Sequence, residues 1–189
     1  MLIFIIGLVL FLGIHSLRVF APAIRDGQIA SGGIGRWKGI YTIISVIGLA
    51  VMIWGYGEAR LTAPILYEPP VFLKHINSLL MLLAFIVLVS GYFPSGKIRA
   101  AVKHPMVTAT KIWALGHLLA NGDLASLLLF GGFLAWAVLV RISYKRRGDF
   151  GTTVAGPVSN DLLPVVAGFV LYALFMWKSA RAAPDCSCR

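Results

Sequence analysis

Long apolar runs separated by short polar segments dominate the chain and determine its predicted elements. Each run approaches the roughly 20 residues that a helix needs to cross the hydrocarbon core of a bilayer. The pattern predicts an all-α class, a polytopic transmembrane helical bundle of about six spans, or about five if the last run, which holds Pro164, does not cross. The runs are residues 2–22, 40–57, 76–93, 105–121, 124–141 and 162–178.

Composition supports the same class. The 189 residues have a mean hydropathy of +0.86 and are 13% charged, against about 25% in a typical soluble domain. We therefore expect one integral membrane domain over residues 1–180 and a short polar tail at 181–189. Cys186 and Cys188, the only cysteines, lie in that tail, where two thiols do not complete a metal site.

The net charge of +10 is distributed in a way that indicates membrane topology rather than nucleic-acid binding. Lys and Arg residues concentrate in short loops, as they do on the cytoplasmic side of membrane proteins. The first, third and fifth loops carry eleven of them, and the opposite side carries five. We therefore predict that these three loops are cytoplasmic, with both termini on the far side. Membrane lipids are the expected partners of the basic side chains, and no nucleic acid is expected.

Two histidines are predicted to lie deep in the membrane. His15 and His117 each lie about 13 residues, or roughly 20 Å, into a span, counted from opposite sides. This spacing predicts that they share a depth, and two neutral imidazoles at one depth suit a haem iron ligated on both faces. Asn121, four residues after His117, lies on its face and is expected to orient its ring. Interhelical hydrogen bonds are the alternative role for both histidines.

The other ionisable groups of the spans are predicted nearer the interfaces. His104 and His75 each stand at the start of a span and are the alternate metal ligands. Lys111 shares a helical face with His104, so it is expected either to neutralise an anion such as a haem propionate or to extend back to the headgroups. The glycine-rich segment 31–39 is predicted to be a flexible loop, because no strand precedes it.

Motifs for protein-only catalysis are missing from the sequence. It holds no HExxH zinc motif, no paired carboxylates and no Ser/His/Asp arrangement. An enzyme that relies on side-chain acid–base chemistry alone is therefore not expected.

Three short motifs carry a family resemblance. GIHSLR (13–18), KHPM (103–106) and KIWALGHLLANGD (111–123) resemble the NnrU family of bacterial membrane proteins over residues 1–145. That family is associated with nitric oxide and nitrite metabolism and is similar to plant 15-cis-zeta-carotene isomerase. The resemblance implies a multi-pass protein of the bacterial inner membrane, nitrite or nitric oxide reductase components as partners, and haem b bound through His15 and His117. Ala114 stands where the isomerase relatives have a cysteine, which argues against isomerase chemistry.

Three functions follow as hypotheses. The first is a haem b protein of the NnrU type that transfers electrons or binds nitric oxide. The second is a haem-dependent isomerase of a carotenoid-like polyene. The third is a non-catalytic membrane scaffold for reductase assembly, which would be colourless when purified. A methyltransferase is a more distant alternative, suggested by the His104–Pro105 pair.

Overall fold

The computed structural model describes residues 1–182, and the predicted Cys186 and Cys188 tail lies outside that range. The regular secondary structure within residues 1–182 is helical, which confirms the predicted all-α class. Its helices are α1 (Leu2–Phe20), α2 (Pro22–Thr62), α3 (Val71–Ser90), α4 (Lys97–Val102), α5 (Pro105–Ala120), α6 (Leu124–Arg146) and α7 (Ser159–Ala182).

Five of these helices, α1, α2, α3, α6 and α7, are long and apolar enough to cross a membrane. The predicted fourth span is present as α5, but its 16 residues extend only about 24 Å, less than the roughly 30 Å of a hydrocarbon core. The chain is therefore a multi-pass membrane protein with five candidate spans and one shorter helix packed among them, in agreement with the prediction of five to six.

Two predicted boundaries are wrong. The segment from 23 to 39, expected to be a loop around the glycine-rich stretch, belongs to the 41-residue helix α2. Gly33, at φ 75° and ψ 163°, absorbs a kink there, so helical structure continues on both sides of it. α6 also runs five residues beyond Arg141, because its last turn is rich in cationic side chains, which favour a helix C-terminus.

The helices pack in the order α2, α1, α6, α5, α3, α7, each contacting the next. Their connections alternate between two ends of the bundle. One end, here called the basic end, holds the α1–α2 junction, the α3–α5 connection and the α6–α7 loop. The opposite end holds the α2–α3 linker and the α5–α6 turn, where Leu66 N and Leu124 N donate to Gly122 O and Pro64 O.

Asp161 ties α7 to the basic end. Its carboxylate accepts hydrogen bonds from Lys97 N at 2.8 Å and Ile98 N at 3.2 Å, at the start of α4. The side chain is 8% exposed, so these bonds satisfy a charge that would otherwise be buried without partners. They fix the short helix that precedes His104.

Small residues allow α1 and α2 to approach closely. A Cβ on Gly7 would overlap the backbone of Met52, and a Cβ on Gly55 would lie 2.5 Å from Phe4 N. Such contacts suit helix association in lipid, where packing replaces the hydrophobic effect. A side chain at either position would push the two helices apart.

We expect Gly7→Ala to lower the free energy of unfolding by about 1–3 kcal/mol through overpacking. The measurement is thermal unfolding of the purified protein in detergent. Gly13→Ala is the matched control, because a Cβ at Gly13 meets no atom within 4 Å and alanine favours a helix. Equal melting temperatures for the two variants would contradict the described α1–α2 contact.

Asp123 begins α6 at the opposite end. Its Oδ1 accepts a hydrogen bond from Ser126 N at 2.8 Å, and its Oδ2 accepts one from Ser126 Oγ at 2.6 Å. Burial raises the pKa of the carboxyl, but the hydrogen bonds from Ser126 and the nearby Arg60 outweigh it, so the net pKa lies below its usual value. The ionised carboxylate is therefore the form that stabilises the fold.

Asp123→Ala should cost about 1–2 kcal/mol of stability at neutral pH, the usual cost of losing an N-cap. Because the pKa is lowered in the folded state, this contribution is present above the unfolded pKa of about 4 and is lost as the pH falls through the folded value. Chemical unfolding at pH 7 and at low pH measures it. Asp26→Ala, at a side chain that is 65% exposed, is the control and should have little effect. A cost for Asp123→Ala that grows on acidification would contradict the assignment.

Candidate functional site

A cavity of about 640 Å³ lies at the basic end between α1, α2, α5 and α6. Its wall includes His15 from α1, Tyr41 from α2, His104 just before α5, and Trp136 and Tyr144 from α6. We call it the basic-end cavity. It brings together two of the sequence-predicted residues, His15 and His104, which are 89 positions apart in the chain.

The imidazole of His15 is held in one tautomer. Its Nδ1 lies 2.7 Å from Phe11 O, and because a carbonyl only accepts, Nδ1 carries the proton and donates it. The lone pair is then on Nε2. The rings of Phe11, Tyr41 and Trp136 surround the imidazole at centroid distances of 4.3, 5.1 and 6.1 Å. A neutral histidine whose Nδ1–H is tied to a backbone carbonyl has the form that ligates a metal through Nε2.

His104 is fixed by the α6–α7 loop. Its ring stacks on Tyr144 at 4.3 Å, and its Nε2 donates to Asp149 O at 3.2 Å. The side chain is 11% exposed, and a Cβ on Gly151 would lie 2.9 Å from the ring. The loop therefore covers the imidazole, and Nδ1 is the nitrogen left with a lone pair.

The rest of the wall is strongly cationic. Arg18, Arg99, Lys103 and Arg147 line the cavity together with a single acid, Asp149. Two buried donors in the same wall, Arg99 Nε and Trp136 Nε1, have no acceptor among residues 1–182. Since buried donors are normally paired, this arrangement favours a ligand with anionic or hydrogen-bond-accepting groups.

His117 lies in a different environment near the C-terminus of α5. Its ring stacks on Phe130 at 4.5 Å and meets the edge of Trp113 at 5.7 Å. Asn121 Nδ2 donates to His117 O at 2.9 Å, and the same nitrogen lies 3.4 Å from His117 Nδ1. A donor facing Nδ1 leaves the proton on Nε2, so His117 has the opposite tautomer to His15.

The predicted common depth of His15 and His117 is wrong. His15 lies five residues before the end of α1, at the basic end, where Arg147 Nη1 donates to Arg18 O. His117 lies three residues before the end of α5, at the opposite end. Since α5 has only 16 residues, 13 residues from its start reach almost to its far side. The two histidines consequently line different cavities, and His15 shares its cavity with the alternate ligand His104.

The remaining predicted residues lie apart from the basic-end cavity. His75 is exposed on α3, the charge of Lys111 lies near Arg141, and neither side chain lines the basic-end cavity. Asn121 lies beside His117. Within residues 1–182, no cluster of three or more His, Cys, Asp or Glu side chains forms a protein-only metal site.

Sequence reasoning missed the aromatic and arginine side chains of the wall. Tyr41 and Trp136 lie in apolar runs, where nothing in their spacing separates them from lipid-facing aromatics, and Tyr144 lies in the basic segment just after the fifth run. Arg147 follows α6, and from the sequence we interpreted it as one of the basic residues that determine membrane topology. Their shared cavity depends on how α1, α2 and α6 pack.

A protein-family model described as NnrU protein matches residues 3–181 of the chain. The match includes α7, beyond the 1–145 range of the three motifs. Comparison with curated proteins and with solved structures gives no match.

Proposed function

The chain belongs to the NnrU family, and from the basic-end cavity we propose that it is a membrane haem b protein in which His15 would hold the iron. The observation that carries the proposal is the hydrogen bond from His15 Nδ1 to Phe11 O, which leaves Nε2 able to ligate a metal inside an aromatic cavity. His104 is the second ligand in this proposal, through its remaining nitrogen. The alternative is that the haem binds at His117, as the sequence predicted.

The residues of the cavity fit a haem. Its volume of about 640 Å³ lies within the 300–1,000 Å³ typical of cofactor sites. Aromatic rings suit the macrocycle, and the cationic wall suits two propionates. The unpaired donors Arg99 Nε and Trp136 Nε1 would gain acceptors on binding. Four cations against one acid would offset the carboxylate charge.

Each residue then has a defined part. The Phe11 carbonyl keeps His15 oriented and increases the basicity of Nε2. The rings of Tyr41, Trp136 and Tyr144 keep water from the centre of the cavity, and the arginines hold the anionic edge near the membrane surface. A haem held by these residues would supply reversible one-electron chemistry. Electron transfer is therefore the activity we propose.

The biological setting is proposed from the family. It places the protein in nitric oxide or nitrite metabolism in a bacterial inner membrane, with nitrite or nitric oxide reductase components as electron partners. A denitrifying strain that lacks this chain should accumulate nitrite or nitric oxide if the setting is right.

Titration of the haem-free full chain with haemin tests the proposed site. We expect saturable binding near one haem per chain. Binding is measured as quenching of tryptophan emission, because Trp136 lines the cavity. Linear, unsaturable quenching typical of partition into detergent would contradict the proposal.

Arg99→Gln should weaken haemin binding by roughly tenfold or more, because it removes a charge-assisted hydrogen bond. The same titration measures the affinity. Arg60→Gln is the control, since Arg60 lies at the opposite end, and it should bind haemin as the wild type does. Equal affinities for both variants would show that the anionic edge is not held by the cationic wall.

A further inference from the structure

His117 lies between two further cavities, and their linings suggest a ligand other than haem. One, the apolar cavity, has a volume of about 330 Å³ and lies between α3, α5, α6 and α7. The other, the polar cavity, has a volume of about 860 Å³ and lies at the opposite end under the α2–α3 linker. His117 lines both of them. A molecule with an apolar body and a polar head would find both environments at this side chain.

Four aromatic side chains line the apolar cavity together with aliphatic ones. Trp113 and Phe133 meet edge to face at 5.3 Å, and Phe85 and Phe175 lie 6.1 Å apart. Phe175 is 61% exposed on the outer surface of α7, so the cavity borders the lipid between α3 and α7. Aromatic walls favour a flat ring as ligand, and a border with lipid favours entry from the bilayer.

Two polar atoms define the head group. The tautomer of His117 set by Asn121 places a proton on Nε2, and no acceptor for it is present among residues 1–182. Asn77 Oδ1, in the wall of the polar cavity, is buried and also lacks a hydrogen-bond partner in that range. The site therefore offers one donor and one acceptor, and leaving the buried Asn77 Oδ1 unpaired is costly.

Charge in the polar cavity argues against an anionic head. Arg60 and Lys74 are matched there by Glu68 and Asp123, so the wall has no excess of positive charge. A carboxylate or phosphate head would face the lone pairs of Asn77 Oδ1 and these acids. A neutral head that both accepts and donates is favoured.

We propose that the two cavities around His117 bind a membrane quinone, and that they prefer its hydroquinone form. The quinone carbonyl accepts from His117 Nε2, and a hydroquinone hydroxyl also donates to Asn77 Oδ1. The ring lies against the aromatic walls, and the isoprenoid tail leads into lipid past Phe175. One additional hydrogen bond should make the reduced form bind roughly tenfold more tightly.

The test uses decyl-ubiquinone and its reduced form as probes, added to the full chain without haem in lipid nanodiscs. Saturable quenching of tryptophan emission gives the affinity, because Trp113 lines the apolar cavity. His117→Ala should weaken both forms at least tenfold. Asn77→Leu keeps the volume and should abolish only the preference for the hydroquinone. His75→Ala, at an exposed histidine outside both cavities, is the matched control and should change nothing.

The outcomes separate this inference from the haem proposal. Unsaturable quenching, or saturable quenching that His117→Ala and Asn77→Leu leave unchanged, would overturn it. Saturation by palmitate or diacylglycerol with none by the quinone would overturn the ligand class. His117→Gln keeps a donor and should retain measurable quinone binding, which guards against misreading an unfolded alanine variant. Haemin binding by these variants should be unaffected, so the two proposals fail by different measurements.

Discussion

Replacing His15 with alanine is expected to abolish haem binding, with an affinity loss of at least about a hundredfold. In the proposed site His15 would hold the iron, and even a residue that only supports a metal ligand is worth roughly 10–100-fold in affinity. The measurement is haem content per chain after purification from a haem-replete host, with far-UV circular dichroism to show that the helices are retained.

His117→Ala is the matched comparison for that variant. Both histidines are partly buried in helices of the bundle, but His117 lies at the other end, and its Nε2 carries the proton. We expect His117→Ala to retain haem at the wild-type level. The reverse result, with haem lost from His117→Ala and kept by His15→Ala, would place the iron at His117 and contradict the basic-end site.

His104→Ala is expected to keep the haem but convert it from six-coordinate low-spin to five-coordinate iron. If His104 holds the iron in the proposed site, the reduced variant should bind carbon monoxide and nitric oxide directly. Visible spectra and carbon monoxide binding measure the change.

His104→Asn controls for damage to the loop that covers the site. Asparagine retains a donor for the carbonyl of Asp149, which accepts from His104 Nε2 at 3.2 Å, but it is a poor iron ligand. Both variants should therefore show the same open iron, whereas His75→Ala should match the wild type. A six-coordinate spectrum that survives both changes at His104 would show that another residue is the second ligand.

The helices were largely predictable because apolar length alone identifies a membrane span. Five of the six predicted runs correspond to helices that can cross, and the sixth is present as α5. The kink at Gly33 was not predictable, because a glycine in a polar segment is equally typical of a loop and of a bent helix. Local composition does not distinguish a loop from a bent helix. The packing of α2 on α1 decides between the two.

The site was predictable only residue by residue. The sequence identified His15, His104 and His117, but it paired the first with the last, because counting along one helix gives no information on where its neighbour ends. Because α5 has only 16 residues, His117 lies at the opposite end, and His15 shares its cavity with His104 instead. The tautomers of His15 and His117 were also not predictable from the sequence, because they depend on contacts with Phe11 O and Asn121 Nδ2. Those two hydrogen bonds are the reason we propose His15 as the iron ligand and His117 as a hydrogen-bond donor.

Visible spectra of the full-length protein, oxidised and then reduced with dithionite after purification from a haem-replete host, test whether the chain binds haem b through His15. We expect a six-coordinate b-type spectrum at about one haem per chain, with bands that sharpen on reduction and disappear in His15→Ala. A colourless protein with intact helices would contradict it.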